Sequence, residues 1–209
     1  MYDFDYFERG LETGLSNYQN YRWEPELTIP MAMVIIDLLG IKRTESVLDY
    51  GCAKGFLVKA LRMLGRNAAG ADISTYAINS APADVKSYLM DARILLRAWK
   101  SNSTYKYKYV ICKDVLEHIP LIDLRYLLQN MQAETVFTVV PLGSDGKYFA
   151  AANGRDVTHI ICEPEAWWLK LFQDNGWVCT FNSNRVVGIK DHYNDIPNAH
   201  LFMVHRRAR

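Results

Sequence analysis

Apolar positions along this chain fall into short runs separated by polar, glycine or proline turns, and the runs alternate between two periods. Runs of four to eight apolar residues bounded by turn signals predict buried strands, and apolar positions three and four apart predict helices. Val47-Leu48 begins a first strand that runs into the turn Asp49-Tyr50-Gly51-Cys52-Ala53-Lys54-Gly55-Phe56 and then into a helix from Leu57 to Leu64. Asn67 to Ser74 reads as a second strand, Thr75 to Asn79 as a short helix start, and Ala81-Pro82-Ala83 as a loop. A third strand is expected over Val85 to Met90, a helix over Ala92 to Trp99, a polar loop over Lys100 to Thr104, and a fourth strand over Tyr107 to Cys112. Leu121 to Met131 is amphipathic, and Thr135 to Val140 is a dense apolar strand ended by Pro141. Pro164 opens a helix that reaches Asp174 and is capped by Asn175-Gly176; strands follow over Trp177 to Asn182 and His200 to His205.

Strand and helix thus alternate, which is the pattern of an α/β fold with a largely parallel sheet. Two regions fall outside it. Leu142 to Asp156 is glycine-rich and irregular, and it predicts a loop over the strand ends, where open α/β sheets build their substrate sites. The first 23 residues are rich in tyrosine and acids, with a short amphipathic helix at Tyr6 to Leu11 broken by Gly10 and Gly14. They read as a lid arm over residues 1–24, set on a single domain of residues 25–209. Between arm and first strand, Pro25 or Glu26 to Leu39 predicts a helix stopped by Gly40. Leu27, Met31, Val34, Ile35 and Leu38 form its inner face, and Pro30 is a point where it is expected to split.

Composition narrows the class. With 209 residues, half of them apolar, one compact core is the expectation. A formal charge of +1 supplies no field that would draw the chain to nucleic acid or an anionic membrane. The alternation Tyr105-Lys106-Tyr107-Lys108-Tyr109 is read as the exposed approach to strand four in preference to a nucleic-acid patch. Cys52, Cys112, Cys162 and Cys179 form no C-x-x-C pair, so reduced thiols and a cytoplasmic location are expected. No apolar run approaches the ~18 residues of a membrane span.

The candidate chemistry starts at the first turn. Gly51 and Gly55 let the backbone bend sharply and let a ligand approach the peptide groups. A pyrophosphate would call for G-x-G-x-x-G, yet Ala53 occupies the middle place and Asp49 stands in front, where its charge repels phosphate and suits a cationic amino group. On these residues alone the turn also fits a Rossmann-type site for another nucleotide. Asp72 closes the second strand at about the 20-residue distance where a carboxylate takes a ribose diol.

The Asp49, Gly51, Gly55 turn, with Asp72, Asp91-Ala92 and the segment Lys113-Asp114-Val115-Leu116-Glu117-His118-Ile119 at successive strand ends, resembles the class I S-adenosylmethionine-dependent methyltransferases. The resemblance implies a doubly wound, mostly parallel seven-stranded sheet with helices on both faces and an antiparallel final strand inserted between the fifth and sixth. It implies S-adenosylmethionine as cofactor, held by Asp49, Gly51, Cys52, Ala53, Gly55, Asp72, Ile73, Asp91, Ala92 and Lys113, with Arg22 of the arm on its carboxylate. Lys54 is expected to be exposed and Cys52 to pack.

Methyl transfer is an in-line displacement that asks for alignment and, with a hydroxyl acceptor, for removal of a proton. His118 and His159 are the candidate bases, and Asp156, three positions before His159, is expected to orient its ring. Asp156, His159 and a further carboxylate could hold magnesium only without a dedicated cage, so no metal is expected. The chain lacks the Asp/Asn-Pro-Pro-Tyr/Phe and Pro-Cys strings of nucleic-acid base methyltransferases after strand four. The expected acceptor is an O or N atom of a small molecule or sugar; a nucleic-acid methyltransferase and a cofactor-binding protein without catalysis are the alternatives.

Overall fold

The computed structural model describes residues 2–101 and 106–208, so the expected loop residues 102–104 and Tyr105 lie outside the described part. Seven strands form one sheet: β1 (Ser46–Tyr50), β2 (Asn67–Asp72), β3 (Leu89–Asp91), β4 (Tyr107–Lys113), β5 (Ala133–Pro141), β8 (Trp177–Ser183) and β9 (His200–Arg207). Their order is β3-β2-β1-β4-β5-β9-β8. The first five run parallel, and β9 lies antiparallel between β5 and β8. This is the inserted final strand that the resemblance implied. A small hairpin, β6 (Gly143–Ser144) with β7 (Lys147–Tyr148), occupies part of the irregular segment.

Successive strand residues face opposite ways, and the core splits accordingly. On one face, Leu48, Val110, Val136 and Met203 meet α7 (Ala92–Lys100), α8 (Leu121–Asn130) and α9 (Glu165–Asp174) through Trp99, Leu124, Leu127, Trp168 and Phe172. On the other, Val47, Ile111, Phe137 and Phe202 meet α3 (Pro25–Leu39) and α4 (Phe56–Met63) through Ile35, Ile36, Val58 and Leu61. Parallel strands buried on both faces need such continuous apolar runs.

Three local expectations are corrected. Pro30 does not split α3, which is continuous, and its first turn packs through Ile29 beside Trp23 while Leu27 is 63 % exposed. The expected third strand begins late: Pro82 starts a helical turn, α6 (Ala83–Lys86), that buries Val85, and only Leu89–Asp91 pair with β2. An edge strand with one neighbour needs no more. α5 (Thr75–Asn79) is capped by the Ser74 hydroxyl. The first residues form α1 (Phe4–Glu8) and α2 (Gly10–Thr13). Among the described residues no helix is long and apolar enough to cross a membrane.

Candidate functional site

Between β1 and β4 the strand order reverses, and at such a point the loops leaving the carboxyl ends diverge and open a crevice. A cavity of about 330 Å3 lies there, lined on one side by Tyr50, Gly51, Ala53, Asp72, Ile73 and Ala92. Gly51 has φ +83°, and a Cβ on it would sit 2.2 Å from a methyl of Val115, so the first turn lies directly against the end of β4. Ala53 is also left-handed, at φ +48°, and its N–H donates to Asp72 Oδ2 at 2.7 Å. The Ser74 N–H donates to Asp72 Oδ1 at 2.7 Å. Burial raises the Asp72 pKa even though three backbone amides pull it down.

The remaining residues expected at the cofactor fall into two groups. Gly51, Ala53, Asp72, Ile73 and Ala92 line the cavity, whereas Asp49, Cys52, Gly55, Asp91 and Lys113 do not. Asp49 is buried behind the turn, and its pKa is pushed up to about 7 by burial, with Lys113 opposing and Asp72 adding to the rise. Cys52 is buried packing. Lys113 pairs with Asp114 at 2.7 Å, and Asp91 is taken by Arg93, whose Nη2 donates to Oδ2 at 2.6 Å. Arg22 is corrected: its side chain is 72 % exposed, 3.7 Å from Glu24, and does not reach the cavity. Lys54 is corrected the other way. It is 8 % exposed, ion-paired with Glu8 of α1, and donates to the Tyr21 carbonyl at 2.7 Å.

The other end of the cavity is aromatic and was not foreseen in its detail. Tyr2, Tyr6, Phe7 and Tyr18 of the first residues line it, Tyr6 and Phe7 packing in one cluster with Ala53 of the first turn, and His118, Ile119, Tyr126 and Leu127 line it too. The two expected histidines are together, with ring centroids 4.5 Å apart. Asp156, however, does not orient His159, whose Nε2 is 4.0 Å from it. Instead Asp156 accepts from the Tyr6 hydroxyl at 2.8 Å, the Thr158 N–H at 2.9 Å and the Thr158 hydroxyl at 2.6 Å. Thr158 Oγ1 lies 2.7 Å from His118 Nδ1. A hydroxyl has one proton; given to the carboxylate, it leaves Thr158 as acceptor, so His118 Nδ1 carries the hydrogen and Nε2 holds the lone pair. Burial first, then the neighbouring His159, pushes the His118 pKa down to about 4, so the ring is neutral at physiological pH.

Thr158 and Glu117 were missed by the sequence reading, although they sit inside the strings Asp156-Val157-Thr158-His159 and Glu117-His118 that drew attention. The signal for Glu117 is burial at 0 % exposure, which a carboxylate in a polar stretch does not announce.

A family model described as a methyltransferase domain matches residues 30–185. A ubiquinone biosynthesis O-methyltransferase of Paraburkholderia phytofirmans is 31 % identical over 96 residues, 44 % of this chain and 40 % of that protein, so the chain spans well under half the length of this curated relative. Among solved structures, a Haloferax volcanii methyltransferase in complex with the Trm112 methyltransferase activator superimposes with a TM-score of 0.64 at 11 % identity, covering 88 % of this chain and 92 % of that one. Magnesium protoporphyrin IX methyltransferase of Synechocystis, with bound S-adenosylhomocysteine, gives 0.58 at 18 % identity over 85 % and 80 %.

Proposed function

Because the chain belongs to the class I S-adenosylmethionine-dependent methyltransferases, we propose that it moves the sulfonium methyl to a hydroxyl oxygen of a small organic acceptor held at the His118 end of the cavity. The acceptor oxygen attacks the methyl carbon, the S–CH3 bond breaks, S-adenosylhomocysteine leaves, and the hydroxyl proton is taken up at the histidine pair. The observation that carries this reading is the Asp156–Thr158–His118 chain, which fixes a neutral imidazole with its free nitrogen on the ring of a residue that lines the cavity. The O-methylating activity of the Paraburkholderia relative favours oxygen over nitrogen. The apolar, aromatic lining favours a flat or phenolic acceptor over a sugar or a nucleic-acid strand.

In the same reading Asp72 accepts from the ribose diol, the Gly51–Ala53 backbone faces the methionine part, and Ile73 and Ala92 flank the adenine. Asp49 acts on the ammonium by its charge from behind the turn, without direct contact. Residues 1–24 form a lid on the domain of residues 25–209: Tyr2, Tyr6, Phe7 and Tyr18 roof the cavity, and Lys54 holds them down through Glu8. The test is turnover of labelled S-adenosylmethionine against a panel of phenols, sugars and amines. His118→Asn is expected to lower the rate on the accepted phenol by about 10^2 to 10^4 while calorimetry finds S-adenosylhomocysteine affinity within twofold of wild type. Preference for amines, or full activity of the variant, refutes the hydroxyl reading.

A further inference from the structure

We propose that Glu117, His118 and His159 bind a divalent transition-metal ion at the acceptor end of the cavity. One ligand atom from each of the three lies within 4.8 Å of the others. Donors about 2.1 Å from a shared ion stand roughly 3.4 Å apart in a tetrahedral site, which small side-chain rotations from the present spacing supply. The second, independent observation is Glu117 itself. It is 0 % exposed, and among the described residues neither carboxylate oxygen has a hydrogen-bond partner. Its main chain is fixed, since the N–H groups of Ile160 and Ile161 both donate to the Glu117 carbonyl, at 3.0 and 3.1 Å. A carboxylate buried without partners is unfavourable by several kcal/mol unless it is protonated or meets a cation.

The nearby lysines do not fill that role. Lys113 and Lys190 are both turned to Asp114, at 2.7 and 2.8 Å. What faces Glu117 is imidazole: His159 Nε2 is 3.8 Å from Glu117 Oε1. His118 has the further mark of a metal ligand, its Nδ1–H held by a hydroxyl that is in turn held by a carboxylate, which aims Nε2 and raises its basicity. Two imidazoles and one carboxylate suit Zn2+, Mn2+ or Fe2+ better than Mg2+, and three protein ligands leave a position open for an acceptor oxygen. This deepens the reading of that end as the acceptor site and rests on it: an ion there would take up the histidine lone pairs and, in place of the bare imidazoles, would acidify a coordinated acceptor hydroxyl, whose proton would pass to solvent water. This proposal departs from the expectation, drawn from the sequence, that the chain uses no metal.

The experiment takes the full chain, stripped with EDTA and dialysed, and titrates it with ZnCl2, MnCl2 and MgCl2 by calorimetry at pH 7.5, each with and without S-adenosylhomocysteine. One equivalent of Zn2+ or Mn2+ is expected to bind, at least 100-fold tighter than Mg2+. Glu117→Gln and His159→Asn are expected to weaken it at least tenfold, and Thr158→Val, which removes only the support of His118, by about 10- to 100-fold. Should a variant fail to fold, CoCl2 added to wild type provides the second measurement: visible absorption of low-coordinate Co2+ appears and is displaced by one equivalent of Zn2+. Absence of heat and of the Co2+ spectrum in protein that still binds S-adenosylhomocysteine overturns the site, as does metal binding that Glu117→Gln and His159→Asn leave unchanged. Once an acceptor is known, full activity of the stripped enzyme with loss in His118→Asn leaves the bare imidazole as base and removes the metal. Full activity in both instead removes the acceptor-site reading itself.

Discussion

Gly51 is the residue on which the cofactor end turns, because both its backbone and its missing side chain are used. A left-handed φ and a Cβ 2.2 Å from Val115 make Gly51→Ala doubly unfavourable. The expected loss is about 1–3 kcal/mol of stability in urea denaturation, the usual range for one strained backbone residue, with S-adenosylhomocysteine affinity lowered at least tenfold in calorimetry. Behind it, Asp49 makes a pH-dependent prediction. Its folded pKa of about 7 lies above the ordinary carboxylate value, so between roughly pH 4 and 7 the folded chain keeps a proton that the unfolded chain has lost. Stability contributed by this group therefore falls as pH rises through that window. Asp49→Asn should gain on wild type from pH 4 to pH 7 and hold the gain above it, read by denaturant midpoints across that range; a constant difference would show that Asp49 is ionised throughout. Both positions were legible, since a glycine turn after an apolar strand is a local signal. Which cation reaches the interior was not: Arg22 and Lys54 look alike in sequence, and only the fold sends one to solvent and the other against Glu8.

At the scale of elements, the arm of α1 and α2 is attached to the domain by a few specific contacts. Lys54 in the first turn pairs with Glu8, the Tyr76 hydroxyl donates to the same carboxylate at 2.9 Å, and the Ser74 hydroxyl donates to the Tyr2 carbonyl at 2.5 Å. Lys54→Met leaves Glu8 nearly buried without its counter-charge, a change that in buried pairs is unfavourable by roughly 3–5 kcal/mol. The expected outcome is detachment of the arm: faster amide exchange over residues 4–13 and tryptic cleavage after Arg9 or Arg22, while the sheet melts as before. The double variant Lys54→Met, Glu8→Met should recover part of the protection. The strands of the sheet were readable because each is a short apolar run closed by an acid or a turn. The arm's docking was not, because ion pairs between residues far apart in sequence leave no local period. The late start of β3 has a similar cause: Val85 is apolar in a helical turn as it would be in a strand, and only Pro82 tips the choice.

For the whole molecule, acid sensitivity follows from imidazoles enclosed without charge. His205 on β9 stacks on Phe172 of α9 with centroids 3.8 Å apart, is 0 % exposed, and neither ring nitrogen has a hydrogen-bond partner among the described residues. Burial alone pushes its pKa down to about 3. His200, 3.0 Å from the Lys190 ammonium, is pushed down to about 3 by burial first and by that cation second. Between about pH 6.5 and pH 3 the unfolded chain binds protons at both histidines and the folded chain does not, so stability falls as pH falls, by up to ~1.4 kcal/mol per pH unit for each group. The sign is opposite to that of Asp49, whose direction Asp72 and Glu117 share, while His118, His159 and His192 act with His200 and His205, so the enclosed imidazoles as a group tilt this window towards acid instability. His205→Phe keeps the stack and removes one titrating group. At pH 7.5 the variant should match or exceed wild type in thermal melts, and at pH 5 its advantage should grow by roughly 2 kcal/mol. An advantage that does not change between the two pH values would mean that the ring takes up its proton inside the fold, and the α9–β9 contact would then need a buried anion that the described residues do not provide.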